Sequence, residues 1–199
     1  MESFGLTLGF HGCDRKIGEK ILSGRQKHLK VSTNSYDWLG SGAYFWENDA
    51  DRALKWARLV KKNSQHFRQK IEEPFVLGAI IDLGLCLDLT RASCLDEIRL
   101  AHQSMASFLR ETDIPMPVNT PGFRNDLDLV KRHLDCATVN FVHQLRLDPD
   151  NPKPAYDTVR GPFTEGRPLY KGAKIMDKTH IQICVRNPRA SIRGYFRLL

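Results

Sequence analysis

Three short stretches of this chain carry residues that could hold and polarise a flat ligand. The first is His11-Gly12-Cys13, at the end of the apolar run Leu6-Thr7-Leu8-Gly9-Phe10. The second is the turn Gly40-Ser41-Gly42, which runs into the aromatic stretch Ala43-Tyr44-Phe45-Trp46. A glycine turn lets backbone approach a ligand, aromatic side chains offer a flat wall, and an imidazole can hold a hydroxyl. The third is near the C-terminal end, where His180 and Gln182 alternate with Ile181 and Ile183. Glu165, in Phe163-Thr164-Glu165-Gly166, is a carboxylate on a loop-like stretch that could reach such a site. Cys13 beside His11 has the composition of a nucleophile and its base, although a packed strand-end thiol accounts for it better.

These residues need elements to position them. Leu6 to Cys13 reads as a strand ending in His-Gly, followed by a helix on Ile17, Ile21 and Leu22 that Gly24 closes. After the glycine turn comes the strand Ala43–Trp46, then a helix capped by Asn48 or Asp49. Asp51 stands in its first turn, and Ala50, Ala53, Leu54, Ala57 and Val60 recur at helical spacing. Glu72-Glu73-Pro74 is expected to stop this helix. Phe75 to Leu83 reads as a buried strand with a second extended piece, Leu85 to Thr90, behind it. Two helical patterns follow: Leu95, Ile98, Ala101, Met105 and Phe108, then Leu127, Val130, Leu134, Ala137, Phe141 and Leu145, separated by a proline-rich loop. Tyr156 to Lys178 is rich in turn formers, and Thr179 to Val185 is a strand with Ile181, Ile183 and Val185 on one face. Ile192 to Leu199 closes the chain as an edge strand. No repeat or linker divides the 199 residues, which read as one domain, 1–199.

Composition narrows the function. No run is long enough to cross a bilayer and the N-terminus lacks the pattern of a signal peptide, so a cytoplasmic protein is expected. Five cysteines, none in a C-x-x-C pair, fit reduced buried thiols; His102, His133 and His143 lack a metal-binding spacing. The net charge of +7 is uneven. Arg52 to Ile71 has seven bases and no acid, and Lys153 to Leu199 has ten bases against three acids. Glu72 to Pro152 has thirteen acids against seven bases. A basic rim of this kind attracts the phosphates of a nucleotide or of a nucleic acid, and the alternative for Arg52 to Lys70 is a solvated helix face. A dinucleotide-binding Rossmann reading of Gly40-Ser41-Gly42 fails, because the third glycine is missing and a strand follows where a helix should start.

In its order of motifs the chain resembles the NAD-dependent ADP-ribosyltransferases of the diphtheria-toxin and poly(ADP-ribose) polymerase type. That family places a His, a Tyr and usually a Glu on three separate strands. The resemblance rests on His11-Gly12, Leu29-Lys30-Val31 and Gly40-Ser41-Gly42-Ala43-Tyr44-Phe45, and weakens through Phe75–Ile81 and Thr158–Gly161. It implies an α+β fold with a split β-sheet core gripping NAD, flanking helices, and a helical insertion at about residues 95–147. It also implies roles for residues: His11 on a ribose hydroxyl, the Gly12 backbone on the nicotinamide amide, Tyr44 stacked on the nicotinamide and Trp56 as the other wall. Lys30 and Ser32 would meet the phosphates or the adenosine. Here the usual Glu is absent from the last strand, which offers His180 or Gln182. Gln182 is the better match by face, and a neutral amide cannot serve as a base. Chain elongation is therefore not expected, and a single transfer is.

Breaking the nicotinamide bond leaves positive charge on the ribose, as in glycoside hydrolysis, so Glu165 is a candidate for the missing negative charge. The resemblance implies a mono-ADP-ribosyltransferase using NAD+ as substrate, in a toxin or phage-defence role, with RNA or DNA as the first acceptor to consider and an antitoxin protein as a partner to look for. No metal and no membrane are expected. Two other readings share the residues: a non-catalytic module that binds NAD or ADP-ribose, and an RNA 2'-phosphotransferase, which needs an Arg-His-His set that His11 and His180 would only partly fill.

Overall fold

A computed structural model describes residues 5–67, 69–122 and 128–198. Its core is one seven-stranded mixed sheet built from β1 (Leu6–Asp14), β2 (Ala43–Glu47), β3 (Pro74–Asp82), β4 (Cys86–Asp88), β5 (Thr158–Phe163), β6 (His180–Val185) and β7 (Ile192–Arg197). The order is β4-β5-β6-β2-β1-β3-β7. Only β4 and β5 run parallel; the other neighbours are antiparallel. The fold is thus mixed α and β around a single sheet, where a split sheet was expected. A trace of a split remains: β1 pairs with β2 only at Gly9–Glu47 and Phe10–Trp46, while it follows β3 along its whole length.

Five helices lie against the sheet or beside it among the described residues: α1 (Arg15–Leu22), α2 (Ala50–Lys62), α3 (Ala92–Glu111), α4 (His133–Arg146) and the short α5 (Pro188–Ser191). Asp14 caps α1 by accepting from Lys16 N at 2.9 Å, and the same carboxylate takes the Glu72 and Glu73 amides. Asp49 caps α2 by accepting from Arg52 N at 2.8 Å, while Asn48 takes the left-handed turn before it, at φ +52°. For α2 the local signals at its start match what forms, with Asp49 as the cap.

Strand alternation sends successive residues to opposite faces. Phe45, Leu77, Ala79, Ile81, Ile183 and Val185 gather on the face that α1 covers. Phe10, Trp46 and Val76 pack under α2 with Ala53, and Leu87, Val159 and Cys184 pack with Val139 and Val142 of α4. One face is therefore closed by α1, and the other is shared between α2 and the α3/α4 pair.

Several expectations are corrected. β1 does not end at His11-Gly12 but runs on to Asp14, because β3 pairs with it throughout. α2 stops at Lys62, well before Glu72-Glu73-Pro74, and a single 3-10 turn (Ser64–His66) follows. Thr158–Phe163, expected inside a loop, is an inner strand; Pro162 is tolerated opposite Ile181. The buried stripe of α3 is Cys94, Ala101 and Met105, leaving Leu95 and Phe108 exposed. In α4 it is Cys136, Val139 and Val142, with Leu145 exposed. The expected positions Arg68, Leu127 and Leu199 lie outside the described residues. All five cysteines are buried and free. No helix among the described residues is long and apolar enough to cross a membrane.

Candidate functional site

Between the parts of the sheet that α2 and α4 cover, one face carries a run of residues of one parity. Trp46 of β2 stands opposite Gln182 of β6, and Gly161 of β5 stands opposite Gln182 from the other side. Phe163 and His180 are paired one step further along. All four side chains share a face, and the Trp38 ring lies over Gly161, where a Cβ would meet it. The result is an aromatic strip. Trp56 packs on Trp46 with centroids 5.7 Å apart, His180 lies 6.1 Å from Trp46 and 5.5 Å from Phe163, and Phe163 lies 5.1 Å from Trp38. The Arg132 guanidinium sits over Phe163 at 4.9 Å.

Hydrogen bonds fix what each polar group has left to offer. Trp38 Nε1 donates to Gln182 Oε1 at 2.7 Å, so the amide oxygen is used and its NH2 remains a donor. His180 Nδ1 donates to the Lys178 carbonyl at 2.7 Å, which places the proton there and leaves Nε2 as an acceptor. Burial holds His180 below its ordinary pKa, so the ring is neutral at pH 7. Arg52, Glu165 and Asp49 are among the charges acting on it. Arg52 Nη2 donates to Glu165 Oε2 at 2.7 Å, and Lys178 Nζ approaches Glu165 Oε1 at 3.7 Å. Glu165 thus ties α2 to the loop after β5, with its charge matched by two cations.

Four buried nitrogens around this strip have no protein partner: Trp46 Nε1, His180 Nε2, Arg52 Nε and Arg132 Nε. Buried polar atoms are rarely left so, and a cluster of three donors and one acceptor along an aromatic floor has the chemistry of a ligand site. Elsewhere such atoms are found at His28, His143, Arg186 and Ser191, none of which shares an aromatic floor of this extent.

The residues singled out from the sequence fall in several places. His11 projects to the α1 face, edge-on to Phe45 at 5.8 Å, and its Nδ1 donates to the Tyr44 carbonyl at 2.7 Å where β1 and β2 part. Burial holds it below its ordinary pKa, against the raising effect of that bond. Tyr44 faces the opposite way, packed with Leu39 and Cys184. Its hydroxyl donates to Gly40 O at 2.8 Å and accepts from Leu39 N at 3.0 Å, so it holds the glycine turn. Burial raises its pKa well above the ordinary value. His11 and Tyr44 therefore meet through backbone and do not wall one pocket.

Gly12 faces α2, where a Cβ would strike the Ala53 carbonyl and crowd Trp56. Its lack of a side chain lets α2 sit close and brings Trp56 to Trp46. Gly40 takes φ +79°, and Gly42 lies where a Cβ would strike Cys184. Ser32 pairs with Gly42 through backbone and its hydroxyl accepts from Asn34 N at 3.4 Å, which makes it a loop residue. Lys30 is exposed beside Leu29 of the α1-face core. Cys13 is pushed up to about 12 by burial, which removes it as a nucleophile. Gln182, Trp56 and Glu165 come together at the strip with His180. Trp38, Trp46, Phe163, Arg52 and Arg132 were not singled out as site residues. Trp46 was within reach, since it lies two positions beyond Tyr44 and shares its face.

Among curated proteins the chain is similar to an uncharacterized protein of Methanocaldococcus jannaschii, 27% identical over 197 aligned residues that cover 92% of this chain and 83% of that one. No family model matches the chain. No solved structure matches it.

Proposed function

We propose that the protein is a mono-ADP-ribosyltransferase that moves ADP-ribose from NAD+ to a macromolecular acceptor, in a toxin or phage-defence role, with the aromatic strip on the α2/α4 face as its site. The observation that carries this reading is the set of four orphaned nitrogens around the aromatic strip. The motif order adds support: the strands bearing His11-Gly12, Tyr44 and Gln182 are neighbours in the order β1-β2-β6.

The strip meets the needs of the reaction in ordinary chemical terms. NAD+ brings flat rings for the aromatic floor, hydroxyls for His180 Nε2, and phosphates and a carboxamide oxygen for donors on Arg52, Arg132 and Trp46. As the bond from the anomeric carbon to the nicotinamide nitrogen breaks, its electron pair leaves with nicotinamide and positive charge develops on the ribose. An oxygen or nitrogen of the acceptor then bonds to that carbon and sheds its proton. Glu165 is the carboxylate held at this site, and Gln182 can orient a hydroxyl but cannot take a proton. His11 acts from behind the floor, as a positioning residue that pins the Tyr44 carbonyl. The reading requires the Glu165 contact to α2 to yield as ligand enters, because Trp46, Phe163 and His180 are buried.

A second reading is favoured by two specific contacts. Gln182 is tied to Trp38, and Glu165 is neutralised by Arg52 and Lys178, so a non-catalytic module that binds NAD or ADP-ribose fits the same strip. Incubation with NAD+ labelled in its adenylate half and a cell lysate, followed by separate ribonuclease, deoxyribonuclease and protease digestion, decides between them. Transfer of label by the wild type and its loss in Glu165→Gln, with NAD+ still bound, supports the transferase. Binding of NAD+ with no release of nicotinamide in the wild type supports the module.

A further inference from the structure

Trp38 bonds to Gln182 and touches Phe163 at the strip. It also lines a cavity of about 390 Å3 between α3 and α4. Its apolar walls include Trp38, Ile98 and Val139, its basic groups are Arg99, His102 and Arg132, and one carboxylate, Asp135, lines it beside Arg132. Ile98 and His102 are one helical turn apart on α3 and both are half-buried, while Arg99 is exposed at the rim.

Charge in the cavity is only partly spent. Arg99 pairs with Asp96 on its own helix, and Arg132 Nη1 pairs with Asp135 at 3.3 Å. The Arg132 guanidinium also lies over Phe163, so it borders the strip as well as the cavity. An aromatic ring, aliphatic walls and arginine donors in a recess of this size suit one planar heterocycle with an anionic group attached.

We propose that this cavity binds a single nucleotide residue, its base against Trp38 and Ile98 and its phosphate toward Arg99 and Arg132. As the acceptor's subsite it rests on the transferase reading, since Trp38 and Arg132 border both the cavity and the strip; as a nucleotide site it stands without it. Binding in the cavity and occupation of the strip are then coupled through Trp38 and its bond to Gln182.

The test is calorimetric titration of the full chain, without NAD+, with the four ribonucleoside monophosphates and with short single-stranded RNA and DNA. Saturable binding is expected, weakened by about tenfold or more in Ile98→Trp, which fills the cavity, and also weakened in Arg99→Glu. Circular dichroism and melting establish that both variants fold. Tighter binding of a strand than of any mononucleotide identifies a nucleic-acid residue as the source, and binding of mononucleotides alone identifies a free nucleotide. A wild type that binds none of them at millimolar concentration, or a folded Ile98→Trp that binds as the wild type does, overturns the proposal. Nucleotide binding by a wild type that, assayed separately with NAD+, releases no nicotinamide overturns only the transferase.

Discussion

The two faces of the sheet are drawn from alternate residues of the same strands, yet they have opposite characters. On the α1 face, Phe45, Leu77, Ile81, Ile183 and Val185 are buried in an apolar cluster, and His11 spends its Nδ1 proton on backbone at its margin. On the other face, Trp46, Phe163 and His180 are also buried, and Trp46 and His180 each keep an unpartnered nitrogen. On the α1 side the comparable atom is His28 Nε2, beside Tyr195 at the margin of the cluster, so what sets the other face apart is that its unpartnered nitrogens lie along a continuous strip of aromatic rings. The difference lies in one parity step along β2 and β6.

Variants on each face can break or sharpen this contrast, and the largest effect belongs to the closed one. Phe45→Ala removes a fully buried ring from the α1-face cluster and should cost about 3–5 kcal/mol in urea denaturation. A cost below about 1 kcal/mol would mean that this face is not the stabilising core.

Acid comes next. Burial, helped by the charges of Arg186 and Arg146, pushes His143 down to about 3 from an ordinary value of 6.5. The unfolded chain therefore binds a proton that the folded chain refuses, and stability is full above about pH 6.5 and is lost as pH falls toward about 3. The slope from this group is at most about 1.4 kcal/mol per pH unit. His11, His28 and His180 are shifted in the same direction, so His143→Leu should flatten the acid limb without abolishing it. Denaturation midpoints from about pH 7 to about pH 4 check the sign.

Asp14→Ala should follow, at about 1–2 kcal/mol, because one carboxylate caps α1 and holds the Glu72 and Glu73 amides. The smallest stability effect is expected at the strip. His180→Phe replaces a ring with an unsatisfied Nε2 by one without it, and should leave stability within about 1 kcal/mol of the wild type. A large loss there would mark His180 as ordinary core.

How much of this was legible in the sequence depends on how far each signal travels. Asp49, Asp51 and the spacing of Ala53, Ala57 and Val60 act within a few residues, and they foretold α2 from its cap to its buried side. The alternation of Ile183 and Val185 with Gln182 and Cys184 separated the faces of β6 correctly. What could not be read is register. Whether His11 and Tyr44 share a face depends on how β1 meets β2, and the pairing of Phe10 with Trp46 puts them on opposite sides. In the same way the periodic residues of α3 and α4 predicted helices but not their rotation, because Cys94, Cys136 and Val139 contribute as much to burial as the larger residues do. Glu165 was visible as a lone carboxylate; its pairing with Arg52, 113 positions away, was not.

The central claim is that the ligand binds on the α2/α4 face and not on the α1 face. Equilibrium titration of NAD+ into the wild type, His180→Phe and His11→Gln tests it most directly. The account predicts binding by the wild type, a loss of about tenfold or more in His180→Phe, and affinity within a few-fold of the wild type in His11→Gln. Loss confined to His11→Gln, with His180→Phe binding as the wild type does, would contradict it and move the site to the other side of the sheet.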